Sequence, residues 1–227
     1  MRRGNGAAPE RLIARIGTFT TRIMRDPSNH EAIETLAARI AGCRRCRDAA
    51  EKPLPQEPRP VAVLSADARV LIAGQAPGRR VNESGIPFDD ASGDRLRDWL
   101  GVTRSQFYDP ANFAILPMGF CFPGYDAHGS DLPPRKECAP LWRANAIAAM
   151  PQVELVLAVG GHAQRWHLGS TTGSMTDTVR GWRNYGEQGV IPLPHPSWRN
   201  TAWLRRNPWF EAELLPELRR KVSRWIS

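Results

Sequence analysis

Four short apolar runs, separated by stretches of helical spacing, limit what this chain can fold into more than any other feature. They are residues 68–73 (ARVLIA), 113–118 (FAILPM), 153–159 (VELVLAV) and 190–193 (VIPL), with helical stretches such as 94–100 and 139–150 between them. Parallel strands need a crossover between them, and the usual crossover is a helix packed on a sheet face. The expected fold class is α/β: a three-layer αβα domain around a central, mainly parallel four-stranded sheet. A length of 227 residues suits one such domain and is short for two. A composition of 41% hydrophobic residues with 19 Gly and 20 Pro is that of a loop-rich globular chain and excludes disordered or collagenous classes. No apolar stretch approaches the roughly 18 residues of a membrane span. Arg15 interrupts the only apolar stretch near the start, Leu12 to Ala14, so no export signal is read and the expected location is the cytoplasm.

Ahead of the first run, Leu12, Ile16, Phe19 and Ile23 recur at helical spacing. A second helix is expected after Ser28, which forms a capping-box pattern with Glu31; Ile33, Leu36, Ala37 and Ile40 make its apolar stripe and Gly42 ends it. Residues 1–42 are thus expected as an N-terminal helical extension and residues 43–227 as the domain. Pro53, Pro55, Pro58 and Pro60 make residues 51–61 an extended strap. Near the other end, Asn207-Pro208 has the form of a helix start, and Phe210, Leu214, Leu218, Val222 and Trp225 follow at core-facing spacing.

The net charge of +8 is unevenly placed. Residues 1–47 carry +6, residues 48–198 carry −2 and residues 199–227 carry +4. Cationic ends around a neutral middle suit a polyanion gripped by its backbone while one part is processed centrally. Of the 31 basic residues 28 are Arg, whose planar fork pairs well with phosphate, although genome composition alone can produce the same bias.

In an open parallel sheet, ligands bind beyond the carboxyl ends of the strands. The first run ends in Gly74-Gln75-Ala76-Pro77-Gly78 and the last in His195-Pro196-Ser197-Trp198-Arg199-Asn200. Together with Gly85-Ile86-Pro87-Phe88, these segments resemble the uracil-DNA glycosylase superfamily, most closely its iron-sulfur branches, called families four and five. The resemblance runs from about Cys43 to Trp209. It implies a DNA glycosylase of the base-excision type that flips a damaged or modified base, uracil or a relative of it, out of DNA and hydrolyses the N-glycosidic bond. DNA, single- or double-stranded, is the implied partner.

Cys43 and Cys46 form one C-x2-C pair, Cys121 lies 75 residues on, and Cys138 follows 17 residues later. In a chain without an export signal a metal site is a better reading than disulfides, and the wide second spacing is unlike a zinc ribbon. It resembles the layout that holds a [4Fe-4S] cluster in those glycosylase branches. The implied role is structural, tying the cysteine pair and the strap to the loop after the second strand.

Breaking a glycosidic bond requires a base held out of the stack, a donor for the charge growing on it, and a water aimed at the sugar. Phe88 is expected to stack on the flipped base and His195 to donate to its carbonyl oxygen. The superfamily's most efficient members carry Asp one residue after the motif's Gln, and family four carries Glu in place of that Gln; here Gln75 and Ala76 stand there. The nearest carboxylates are Asp89 and Asp90, and family five resembles this with an Asp just before Ala-Ser-Gly. Asp90 is the first candidate to position the water and Asp89 the second; the alternative is that they cap the next helix. Pro117 stands where family four has an uracil-reading Asn, so reading of the base is expected from pocket shape and from groups around Gln75, Ala76, Met118 and Gly119. The implied base range is broader than uracil alone. Ser197, Trp198, Arg199 and Arg205, with Arg206 beside it, are expected at the DNA; Trp198 is either an inserted wedge or a core residue. His162 is expected to be structural.

Two other readings stand beside this one. A Rossmann-type nucleotide enzyme could use Gly74 to Gly78, but the chain lacks G-x-G-x-x-G and a Walker lysine. A DNA-binding iron-sulfur protein without catalysis is the other.

Overall fold

The four apolar runs become the four strands of one sheet. A computed structural model describes residues 27–48, 51–169 and 173–226; the first predicted amphipathic stretch, residues 12–23, lies outside them. The strands are β1 (Val70–Ala73), β2 (Phe113–Ile115), β3 (Leu155–Val159) and β4 (Val190–Leu193), in the order β2-β1-β3-β4. Every pairing is parallel, so the sheet is parallel throughout rather than mainly so. Three of the runs are trimmed at their ends: Ala68 and Arg69 precede β1, Val153 and Glu154 precede β3, and residues 116–118 leave β2 to line or brace the loops beyond it.

Alternate strand residues face opposite layers, as the two-residue period of a strand requires. Val70, Ile72, Phe113, Ile115, Leu155, Leu157, Val159, Ile191 and Leu193 share one core. That layer contains α4 (Ala91–Leu100), α5 (Arg104–Tyr108), α8 (Met175–Arg180), α9 (Trp182–Glu187), α10 (Thr201–Arg206) and α11 (Leu215–Val222). Leu71, Ala73, Ala114, Leu116, Val156, Ala158 and Val190 face the second core, shared with α1 (Pro27–Ala41), α6 (Cys138–Ala148) and α7 (Gly161–Leu168). Two short helices, α2 (Arg45–Asp48) and α3 (Arg79–Ser84), belong to the loops. The result is the expected three-layer αβα fold.

Helix α1 begins at Pro27, so Ser28 lies in its first turn and not before it as a cap. Its Ile33, Leu36 and Ile40 are buried in the second core, and Arg39 lies over the Trp142 ring of α6. The strap behaves as expected: Val63 forms an antiparallel bridge with Ile115 on the free edge of β2, and the Val61 amide donates to the Phe120 carbonyl at 2.7 Å. An edge covered this way offers no template for another strand. At the other end, Phe210, Leu214, Leu218 and Val222 are buried as their spacing predicts. The first turn, Phe210–Leu214, is wound as a π-helix before α11 continues. Among the described residues no helix is long and apolar enough to cross a membrane.

Candidate active site

The chain runs from β1 outward to β2 and then crosses back to β3 on the other side of β1, so the crossovers diverge at the β1/β3 boundary and leave a crevice there. A cleft of about 450 Å3 opens at that carboxyl edge. Gln75, Ala76, Phe88, Asp90, His195, Ser197, Trp198 and Arg199 all line it, so residues far apart in sequence converge as the motifs predict. The apolar floor and walls come from Val61 of the strap, Ile115 at the end of β2, Pro117 just after it, and Pro123 and Leu132 of the following loop.

Phe88 is held by backbone geometry. Its φ of 57° makes it the one non-glycine residue with positive φ among the described residues. For a bulky side chain that conformation is strained, by about 1–3 kcal/mol, and such strain concentrates at functional sites. Several groups hold it in place. Tyr108 Oη donates to the Pro87 carbonyl at 3.0 Å, the Phe88 ring meets Phe107 edge-on at 6.1 Å, and Arg97 reaches the Phe88 carbonyl at 3.4 Å. Arg97 is itself buried, pairs with Asp94 at 2.6 Å and lies over the Phe107 and Tyr108 rings. Two glycines give the loop room: a Cβ on Gly93 would collide with the Phe88 carbonyl, and one on Gly74 would press on the ring at 3.3 Å.

Asp90 is the N-cap of α4, its Oδ1 accepting from the Gly93 amide at 2.8 Å. The capping alternative therefore describes its geometry, and the same residue still borders the cleft. Asp89 does not reach the cleft lining; it pairs with Arg104 at 2.8 Å, and that hydrogen bond holds its carboxyl below the usual range. Helix α4 is latched to the second motif by Arg95, which donates to the Ser197 carbonyl at 2.9 Å and approaches Thr201 Oγ1 at 3.4 Å.

His195 is largely buried, and burial pushes its imidazole below its ordinary value, against the opposing pull of Asp90 and Asp131. That direction favours the neutral imidazole. Asn200 Nδ2 donates to the His195 carbonyl at 2.7 Å and so fixes the turn without engaging the ring. Gln75 is half-buried, and among the described residues its side-chain amide has no hydrogen-bond partner.

Met118 and Gly119 depart from expectation. The Met118 amide donates to the Gly74 carbonyl at 2.9 Å and the Gly119 amide to the Gln75 carbonyl at 3.0 Å. These groups brace the first motif, and neither residue lines the cleft. Beneath them Arg143, fully buried, donates to the carbonyls of Leu116 and Pro117 at 2.8 and 3.1 Å and also to His167. Burial lowers the Arg143 guanidinium to about 10, and burial with that neighbouring cation takes His167 down to about 3.

Trp198 is 75% exposed, which settles its two alternatives against a core role. Arg199 lies over its ring at 5.8 Å, and Arg205 and Arg206 are exposed in the last turn of α10 without lining the cleft. His162 is outside the lining as well, beside Arg165.

Sequence reasoning missed Asp131, Arg95, Arg97, Tyr108 and Arg143. The Asp94 to Arg97 spacing on α4 was a legible pairing signal, whereas Arg95, Tyr108, Arg143 and Asp131 reach their partners only through tertiary contacts.

All four cysteines line a second, small enclosed space, together with Pro58, Pro60, Phe120 and Arg135. Burial pushes the Cys121 and Cys138 thiols up to about 12, and the Phe120 amide donates to Cys138 Sγ at 3.4 Å. Among the described residues no three His, Cys, Asp or Glu side chains are gathered closely enough for a single metal ion.

Fold and cleft together define an α/β protein with a cleft at the sheet's switch point. A family model, the uracil DNA glycosylase superfamily, matches residues 61–219, and the chain belongs to that superfamily. The match begins after the strap's last proline and leaves α1 and the Cys43–Cys46 pair outside it.

Proposed function

We propose that this protein is a monofunctional DNA glycosylase that extrudes a damaged or modified base and hydrolyses its N-glycosidic bond, leaving an abasic site. One observation carries the reading: in a chain of this superfamily, a single cleft gathers the Gly74–Gly78 turn, Phe88, Asp90 and neutral His195, with an exposed Trp198 at its mouth. The Phe88 ring stacks on the flipped base and offsets part of the stacking lost in DNA. As the bond from sugar carbon to base nitrogen breaks, its electron pair stays on the base, and His195 donates a hydrogen bond to the base carbonyl where that charge grows. A neutral imidazole does this without first giving up a proton. Water adds to the sugar carbon, with Asp90 as a carboxylate at the cleft wall to orient it. Among the described residues no lysine lines the cleft, which favours water over an amine as nucleophile.

Gln75 is the polar reader of the base edge, since its amide offers both a donor and an acceptor. Pro117 and the apolar walls add shape without further readout, and the amides of Met118 and Gly119 are engaged elsewhere. A range of bases beyond uracil follows. Trp198 fills the gap left by the flipped nucleotide, and Arg199, Arg205 and Arg206 hold phosphates.

The chain further belongs, in this proposal, to the iron-sulfur branches. Cys43, Cys46, Cys121 and Cys138 would hold a [4Fe-4S] cluster, which supplies a structural crosslink between three chain segments. The convergence of all four around one space supports this, and in such a cluster each thiolate binds its own iron. Coordination would also keep as thiolates two groups that burial otherwise holds protonated.

Oligonucleotides that each carry one uracil, deaminated base or modified pyrimidine, probed for alkali-labile abasic sites, test the activity. Cleavage of one or more is expected, and reduced by Asp90→Asn. Tight DNA binding with no base released from any of them would favour the second reading, a non-catalytic DNA-binding protein, which the capping role of Asp90 supports.

A further inference from the structure

The loop between the third and fourth cysteines brings a carboxylate to the cleft that no motif contains. Tyr125 and Asp131 pair in an antiparallel bridge at the base of this loop. The Asp126 amide donates to the Ser130 carbonyl at 2.8 Å and the Leu132 amide to the Gly124 carbonyl at 2.9 Å. Thus braced, Asp131 lines the cleft with Asp90, His195 and Arg199, and a Cβ on Gly78 would lie 3.8 Å from its Oδ2. Among the described residues its carboxylate accepts no hydrogen bond and forms no ion pair.

A carboxylate at the mouth of a cleft that receives DNA works against binding, because it repels the phosphates that Arg199 attracts. Its charge is useful only where positive charge develops, and in glycosidic hydrolysis that place is the sugar. Asp90 has Oδ1 engaged by the Gly93 amide, which fixes its orientation and leaves Oδ2 as its free oxygen. We propose that Asp131 is a second carboxylate of the reaction, facing the sugar from the loop side, where it orients the attacking water and stabilises the oxocarbenium-like sugar together with Asp90. The inference rests on the glycosylase reading.

Asp131 is exposed to solvent at the mouth of the cleft; what desolvation it has, with Asp90 as a like charge nearby, raises its carboxyl, while Arg199 and His195 pull it down. The working form is ionised. The rate therefore falls as pH drops through a value above the ordinary carboxylate range of about 4.

The test compares the unaltered protein with Asp131→Asn in single-turnover base release across pH, and in equilibrium binding to the same oligonucleotide carrying a non-cleavable sugar. Loss of the rate by about 10- to 100-fold is expected, with the acid limb moved to lower pH and with binding equal or tighter. Equal rates for the two proteins would overturn the inference alone. Binding that weakens in step with cleavage would overturn it too, by making Asp131 a structural or DNA-contact residue. Failure of the unaltered protein to release any base would overturn the glycosylase reading and this inference with it.

Discussion

The cleft at the strand ends and the cysteine corner under the strap are built on opposite principles. In the cleft the backbone is held tightly, by a strained Phe88, a capped α4 and the latches from Arg95 and Arg97, while several of the polar side chains that line it are left free. Gln75 and Asp131 have no protein partners among the described residues, and no bond engages the His195 ring. In the corner the proline-rich strap, α2 and the start of α6 bring the four cysteines around one small space. A site that turns over must keep its polar groups available to a ligand; a site that fastens chain segments has no such need. In the proposed function the first region carries the chemistry and the second the stability.

The largest effect that would break this division concerns the corner. Cys138→Ser should cost about 4 kcal/mol or more, a fall of at least about 8 °C in Tm, and remove any visible absorbance and iron, read by calorimetry and metal analysis. An unchanged Tm would dissolve the distinction. In the cleft, His195→Ala should slow base release by about 10²- to 10³-fold with little change in Tm, measured in single turnover. Gly93→Ala sits where the two kinds of effect meet. The collision with the Phe88 carbonyl should destabilise by about 1–3 kcal/mol and lower the cleavage rate as well, because the same backbone positions Phe88 and Asp90. Trp198→Ala, at an exposed position, should leave stability within about 0.5 kcal/mol and weaken DNA binding by about 1–3 kcal/mol, seen in a salt-controlled titration.

A last effect, read along the pH axis, lies at His167, the partner of buried Arg143. Its folded value of about 3 lies below an unfolded value of about 6.5, so the native state binds fewer protons between these limits. Its contribution to stability is full above about pH 6.5 and is lost as pH falls toward 3. His167→Gln, which keeps an acceptor for Arg143, should flatten the dependence of Tm on pH over that window.

Much of this molecule was legible before any coordinates. Four apolar runs became four strands because strands buried on both faces leave little room for polar residues, and alternation with helices implied parallel pairing. The Gly74–Gly78 and His195–Ser197 segments were readable as site elements for the same topological reason: each follows a strand at the carboxyl edge. Local signals were less reliable. Ser28 looked like a cap and lies inside α1, while Asp90 did cap α4 and borders the cleft as well.

What the sequence determined by itself was the layered fold, the edge at which the site would form and most of the residue types found there, because hydrophobic period and strand-end position are local properties of a chain. The tertiary structure alone decided which polar groups stay free. It consumed the amides of Met118 and Gly119 in bracing the first motif, turned Asp89 outward to Arg104 and left Trp198 in solvent. It also brought Asp131 across from a distant loop. Hydrogen bonding and burial depend on neighbours contributed by remote segments, and no local spacing encodes them.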